Sequence, residues 1–379
     1  MKTLSHLLFS SIIILIFSAC KKESSLSETS PVIKLAAGSE HTLFLREDNT
    51  LWACGSNNQG QFGNGDIIDQ NIPVKILDNV KDVSAGSLNT YVIKTNNSLW
   101  GAGININGEL GNNPDTSASP FVKIMDDVKT MSEGGYGAHF FVIKNDNSLW
   151  GFGYNNFGQI GDGTLTSKLQ PVKIMDNVLS VAVGTYHSLI IKLDHSLWVT
   201  GNNDKGQLGT GTGIGIGTAP YPGEIIPVKI AESVRSVSVN QYMSLILKDD
   251  NTLWVTGVIN MAGQDSVQSE INTPVYIMAD VKAIRCGSSH SLILMNDNSL
   301  WAGGTKSNGE LGIGVQTFAW QIPIIKISDN VKLFTAGYGF TTYITSDNSV
   351  YASGRNYRGE LGDGTNNDKH YFVRVLIDN

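Results

Sequence analysis

Apolar and polar residues alternate in short runs along most of the chain, and clusters of Asn, Asp and Gly separate the runs. One set reads "PVKIMDN" (Pro171–Asn177), "VLSVAVG" (Val178–Gly184), "HSLIIKL" (His187–Leu193) and "SLWVTG" (Ser196–Gly201). A period of two, held over about four to eight residues, belongs to a strand with one buried face. Pairs such as Asp146-Asn147 tolerate the bent backbone of a tight hairpin. Helical periodicity is almost absent, so each set predicts four short strands.

The set recurs. "SLWGFGYNNFGQIGDGT" (Ser148–Thr164) has counterparts starting at Thr50, Ser98, Ser196, Ser299 and Ser349, with a worn copy at Thr252. The aromatic column is Trp52, Trp100, Trp150, Trp198, Trp254, Trp301 and Tyr351, at spacings of 48, 50, 48, 56, 47 and 50. A fixed period across the chain is a repeat architecture and must be settled before any motif is read. Four strands repeated seven times predict an all-β fold, a seven-bladed β-propeller over residues 31–379. The chain enters at "VIKLAAGSEHTLFL", without a preceding first strand, and leaves with "HYFVRVLIDN" (His370–Asn379), a first strand with nothing after it. The expectation is that the C-terminal strand joins the N-terminal blade and closes the ring. Trp150 is expected in a buried column, where truncation to Ala costs about 3–5 kcal/mol.

Two recurring segments, "LWG-G-N--GQLG-G" and "AG--HTL-L" (as at Ala37–Leu43), resemble the regulator-of-chromosome-condensation repeat family. The resemblance spans residues 31–379 and implies a propeller whose members mostly act as binding scaffolds. The family's known roles include guanine-nucleotide exchange on a small GTPase and inhibition of β-lactamases by loop aromatics. The fifth repeat departs most, with Asn240 for Gly, Met243 for His and no Gly-Glu-Leu-Gly step.

The N-terminus follows a different pattern. "MKTLSHLLFSSIIILIFSAC" has one Lys, an apolar run from Leu7 to Phe17, then small residues and Cys20. The run is shorter than the about 20 residues that span a bilayer, and it reads as a secretory signal over residues 1–19. Phe17-Ser18-Ala19-Cys20 resembles a bacterial lipobox, with Phe17 where Leu is usual, and this makes Cys20 the lipidation candidate. Residues 20–30 then form a lipidated Cys and a polar, Ser-rich tether. The expected location is the bacterial cell envelope, anchored to a membrane through Cys20. Cys54 and Cys286, which stand in the first and sixth repeats, read as buried thiols rather than a disulfide.

The net charge of −7 argues against nucleic acid, which needs a basic face. Gly158-Gln159-Ile160-Gly161 might cradle phosphate once, but near-copies in six repeats make it a structural turn. The Gly209–Gly223 run matches G-x-G-x-x-G without the strand and helix that a dinucleotide site needs. His41, His139, His187 and His290 share one repeat position, in blades too far apart for one metal; each is expected to hold a backbone carbonyl. Glu109, Glu310 and Glu360 belong to the repeat turn, and no catalytic pair can be named. No catalytic residue, metal or cofactor is therefore expected.

Aromatic residues outside the Trp column gather in two kinds of loop that alternating strand direction sends to one face. Tyr136, Tyr186, Tyr242 and Tyr338 lie in the first kind; Tyr154, Phe157, Tyr221, Phe318, Trp320 and Tyr357 lie in the second. Aromatic anchors dominate binding hot spots, so these ten are the candidate partner-binding residues. The reading is an exported scaffold, not an enzyme, that binds a protein or glycan partner through this face. The alternative is an extracytoplasmic polysaccharide lyase or hydrolase with its acid and base on the propeller channel.

Overall fold

The computed structural model describes residues 30–112, 120–132, 137–212, 223–258, 270–314 and 322–377. Among these residues the chain forms seven four-stranded antiparallel sheets and no helix. The sheets occupy residues 32–77, 80–125, 128–175, 178–231, 234–278, 281–328 and 331–374 and are the blades of a seven-bladed β-propeller. Within each blade the strands follow chain order from the channel outward. In blade one they are Val32–Ala37, His41–Arg46, Leu51–Gly55 and Gln70–Leu77.

The blades are divided one strand away from the expected point, which corrects the expected closure. The "PVKI" strand pairs with the preceding Trp strand, Trp52 opposite Lys75 and Ala53 opposite Val74. The C-terminal strand Lys369–Arg374 is accordingly the outermost strand of blade seven, with Tyr351 opposite Arg374 and Ala352 opposite Val373. The two ends of the chain share no sheet. The physical reason lies in the two kinds of turn. The Asp-Asn pair after "PVKI", short enough to pass for a hairpin, is the step between blades. Asn79 and Asn177 sit there at φ 61 and 62. Val80 N then donates to Asn49 O at 2.9 Å and Val178 N to Asn147 O at 3.0 Å, which swings the chain into the next sheet. The long Gly-rich segment returns the chain beside its own sheet.

Ring closure repeats the joint found between other blades. Gly364 N of blade seven donates to Asn71 O of blade one at 2.9 Å, as Gly163 N of blade three does to Ile225 O of blade four at 2.9 Å. Thr42 Oγ1 donates to Glu360 O at 2.7 Å, as Ser188 Oγ does to Gln159 O at 2.8 Å. The residues after the last strand add a plug. Val375 and Ile377 are buried among Val32, Leu35 and Phe44 of blade one and Phe340 and Ile344 of blade seven. The Arg46 guanidinium donates to the Ile377 carbonyl.

The core is a set of wedges between neighbouring blades. One wedge joins Tyr91, Ile93, Leu99 and Leu110 of blade two to Phe140, Val142 and Phe152 of blade three. Trp150 packs at its margin and is half-buried, not buried as expected. Its Nε1 donates to Ser148 Oγ at 2.9 Å, and Lys144 Nζ lies 4.8 Å from the ring centroid. Trp52, Trp100, Trp198 and Trp254 repeat this arrangement with Arg46, Lys94, Lys192 and Lys248. The Leu residues before each Trp fill the interior, and the indole seals the seam beneath a cation. Truncating Trp150 thus costs less than the about 3–5 kcal/mol of a core aromatic. Cys54 and Cys286 are free and buried, as read.

Deleting residues 375–379 removes two buried aliphatic side chains, each worth about 1.5–3 kcal/mol, from the seam where the ring's ends meet. Calorimetry should show the melting temperature of the truncated chain falling by several degrees, and an unchanged transition would mean that the plug is not part of the closure.

Candidate interaction face

Loops between the first and second strands (38–40, 184–186, 337–339) and between the third and fourth (56–69, 154–167, 355–368) emerge together. Backbone bonds tie them: Ser56 N to Glu40 O at 2.7 Å, Asn202 N to Tyr186 O at 2.8 Å, Val258 N to Tyr242 O at 2.9 Å and Arg355 N to Gly339 O at 2.9 Å. The opposite face consists of short turns with Asn or Asp at positive φ, such as Asn97, Asp127, Asn147 and Asn298. Lysines brace these turns, Lys81 donating to Asn97 Oδ1 at 2.6 Å and Lys129 to Asn147 Oδ1 at 2.7 Å.

A buried Asn builds the long loop in five of the blades, and Lys306 stands at its place in blade six. Asn155 Oδ1 accepts from Ile160 N at 2.9 Å, and its Nδ2 donates to Asp162 Oδ1 and Thr164 O, both at 3.0 Å. Asn57, Asn105, Asn203 and Asn356 occupy the same place, accepting from Phe62, Leu110, Leu208 and Leu361. Gln159 Oε1 accepts from Phe157 N at 3.0 Å, and Glu109 and Glu360 do the same in their loops. A Cβ on Gly158, at φ +71, would lie 2.9 Å from the Ile225 Cα of the next blade. The amides of Gly158, Ile160, Gly161 and Gly163 are all paired within the protein. That turn is a joint, and its N–H groups are not available to a phosphate. Most of the Gly209–Gly223 run lies outside the described residues.

Beneath the face, the repeated histidines act through a hydroxyl rather than holding the carbonyl directly. Ser188 Oγ gives its proton to Gln159 O, so His139 Nε2, 2.8 Å from that Oγ, must be the donor. His187, Ser244 and Gln207 O form the same relay, at 3.0 and 2.7 Å. His41 and His290 meet Thr90 and Thr341. Burial holds His139 and His187 down at about 3 and His41 at about 4, so the rings are neutral. Phe340 fills the position in blade seven by packing under Gly337.

The candidate aromatics fall into two groups. Tyr136, Tyr221, Phe318, Trp320 and Cys20 lie outside the described residues. Tyr154, Phe157, Tyr186 and Tyr242, all half-buried, form the first group. The Phe157 ring lies 6.2 Å from that of Tyr154 and 4.7 Å from that of Tyr186 in the next blade. Partial burial, then the nearby Tyr242 and Tyr154, raises the Tyr186 hydroxyl above its ordinary value. Gln241 Nε2 donates to Tyr242 OH at 2.7 Å. In the second group Tyr338 and Tyr357, 49% and 51% exposed, flank Arg355. The guanidinium lies 5.5 and 3.9 Å from their ring centroids and is ion-paired to Glu40 of blade one. Sequence reasoning did not single out Arg355 or Glu40; the only signal was a cation where the other repeats carry an uncharged residue (Ser56, Ile104, Tyr154, Asn202, Val258 and Thr305) after the glycine. The channel is lined by Lys34, Ser84, Ser238, Arg285, Cys286 and Thr335 around a cavity of about 50 Å³. Lys34 is ion-paired to Asp82, and burial pushes the Cys286 thiol up to about 12.

Seven like blades joined by Gly turns define a repeat propeller. The regulator of chromosome condensation (RCC1) repeat matches at residues 32–61, 178–207 and 331–360, and in a second form at 48–93 and 146–191. The chain thus carries repeats of the RCC1 type in these stretches. No curated protein matches it in sequence. Among solved structures it is similar to human WBSCR16, at 20% identity over 81% of this chain and 84% of that one, TM-score 0.69. It is also similar to Prp20p from Saccharomyces cerevisiae, a structure described with its binding to Gsp1p and histones, at 19% identity over 84% of each chain, TM-score 0.69. A chain in the structure of Kap60 bound to yeast RCC1 (Prp20) aligns over 99% of this chain and 91% of that one at 14% identity, TM-score 0.75. At these identities the likeness is one of fold.

The neutral histidines make folding pH-linked. An unfolded histidine titrates near about 6.5, so between there and about 4 the unfolded chain holds protons that the folded chain does not, and stability falls as pH falls. Glu360, which burial pushes up to about 7, works the other way and offsets nearly one proton at pH 5. Urea unfolding between pH 7 and 5 should show this acid-side loss, and His139→Asn, the residue found at Asn89, should reduce proton uptake by about one. A flat profile would mean that the rings are charged or solvated.

Proposed function

We propose that this protein is an exported, lipid-anchored propeller that binds a protein partner through its loop-rich face. The observation that carries the reading is the contrast between the two faces: scaffold bonds fix the turns of one, and the other presents variable aromatic groups on a rigid joint. Rigid aromatic anchors at small entropic cost are what interface hot spots are made of. That Prp20p is described with Gsp1p and histones, and yeast RCC1 with Kap60, supports a protein as the partner class. The channel reading is less favoured, because Lys34 is ion-paired to Asp82 and, among the described residues, no carboxylate lines the channel cavity.

The start of the described chain fits the anchor. Ser30 Oγ accepts from Asp48 N at 2.9 Å, and Pro31 O accepts from Glu47 N at 2.9 Å, both in a turn of the face opposite the aromatic loops. Ser30 and Pro31 thus stand on the scaffold face, and an anchor attached there would direct the loop-rich face away from the membrane. On this reading the signal ends at residue 19 and Cys20 carries the lipid.

Labelling of the expressed full chain with radioactive palmitate should mark the protein, and Cys20→Ser should abolish the label; an equally labelled variant would remove the anchor from the reading. Crosslinking of the full chain in cells should capture a protein. The double variant Phe157→Ala, Tyr186→Ala should weaken capture by about 30-fold or more, the scale of a hot spot, with an unchanged melting temperature. Lys81→Ala on the scaffold face should leave capture intact. Equal capture by all variants would contradict the assignment of the face.

A further inference from the structure

At the seam of blades seven, one and two, the loop-rich face carries an open cavity of about 330 Å³, lined by Ser39, Glu40, Asn58, Gln59, Ser87, Leu88, Tyr338 and Arg355. That volume is at the low end of small-ligand pockets, about 300–1,000 Å³, which are ordinarily apolar with few polar groups. Here the proportions are reversed.

The floor is built. Arg355 is buried, its guanidinium ion-paired to Glu40 and its Nε 3.6 Å from Glu360 Oε1, with no hydrogen-bond partner for that Nε. Tyr357 covers one side of the guanidinium at 3.9 Å, and its hydroxyl donates to Glu40 Oε1 at 3.2 Å. Glu40 is therefore held by two donors, and its charge and that of Arg355 cancel. A charged ligand gains little from such a floor, and displacing either partner would leave a desolvated charge behind.

The walls are polar without being charged. Ser39 and Ser87 share a hydroxyl–hydroxyl bond of 2.8 Å across blades one and two. Asn58 is exposed and Gln59 half-buried at the rim. Hydroxyls and amides both donate and accept, which suits a ligand whose own groups do both at close spacing. The ring of Tyr338, about half exposed, adds a flat apolar face with a polar edge to the lining. Flat C–H surfaces edged by neighbouring hydroxyls are the chemistry of a pyranose ring.

From this geometry we infer that the seam cavity is a subsite for a neutral oligosaccharide. It rests on the reading of the loop-rich face as the binding face and adds a ligand class to it. The sugar ring lies on Tyr338 and shares hydroxyl bonds with Ser39, Ser87, Asn58 and Gln59. Arg355, 5.5 Å from the Tyr338 ring centroid, and its ion-pair partner Glu40 act as positioning residues.

The test is calorimetric titration of the full chain with maltotetraose, cellotetraose, chitotetraose and mannotetraose, beside tetragalacturonate and a basic peptide. At least one neutral tetrasaccharide should bind saturably, with little change between low and high salt. Tyr338→Ala should weaken it about tenfold, which corresponds to about 1.4 kcal/mol, whereas Tyr338→Phe keeps the ring and most of the affinity. Gln59→Ala, at the rim, should weaken it without touching the core. Binding by none of the neutral sugars, binding confined to the charged probes, or a Tyr338→Ala variant with full affinity would each overturn the subsite. Protein capture through Phe157 and Tyr186 is read separately, so a failed sugar titration with capture intact removes the subsite alone, and lost capture with sugar binding intact removes the protein partner alone.

Discussion

The joint between blades is the constraint on which everything else depends. No blade has a core of its own: each apolar wedge takes half its side chains from one sheet and half from the next. A lone four-stranded sheet of this kind would expose both halves to water. The blades must therefore meet closely, and the glycine turn makes that possible. With a Cβ on Gly158 or Gly359 the turn would run into the Ile225 or Asn71 backbone of the following blade. Closer to the channel, a serine or threonine hydroxyl joins the third-to-fourth strand loop of one blade to the second strand of the next. The same two contacts close the ring between blades seven and one, so closure needs no strand exchanged between the chain ends.

That economy explains what was legible in the sequence and what was not. The period of fifty, the four alternating runs and the glycine step all follow from repeating one joint, and they could be read from letters alone. The grouping of strands into blades could not. Asp78-Asn79 has the length and composition of a hairpin turn and serves instead as the step between sheets, because the distinction lies in where Val80 N finds its acceptor. The Trp column misled for a related reason. A repeated large aromatic usually marks the interior, but here Leu149 takes that place and Trp150 lies at the seam under Lys144. The loop-building asparagines at 57, 105, 155, 203 and 356 were in view as a column three residues before each glycine. Their role stayed hidden because a polar residue in a loop reads as solvated, whereas these are buried.

The candidate site was partly legible, and its limits have the same origin. Strand alternation fixes direction, and the described loops with Tyr154, Phe157, Tyr186, Tyr242, Tyr338 and Tyr357 emerge on one face. Sequence could not group them, since grouping depends on which blades adjoin in the closed ring. Phe157 of blade three meets Tyr186 of blade four, as chain order suggests. Arg355 meets Glu40 only because the last blade adjoins the first, across 315 residues of chain.

Both aromatic groups therefore stand on joints, one between blades three and four and one between seven and one. The position has an energetic consequence. A ligand that touches residues of two blades binds the closed ring and not an opened one, so its binding free energy adds to closure by mass action. At the seam of blades seven and one this acts where the covalent chain gives no help, since the only connection between those blades is non-covalent. The scaffold bonds that make the face rigid and the contacts available to a ligand are thus coupled through the same few residues: Glu40 belongs at once to the ion pair that ties blade one to blade seven and to the lining of the cavity.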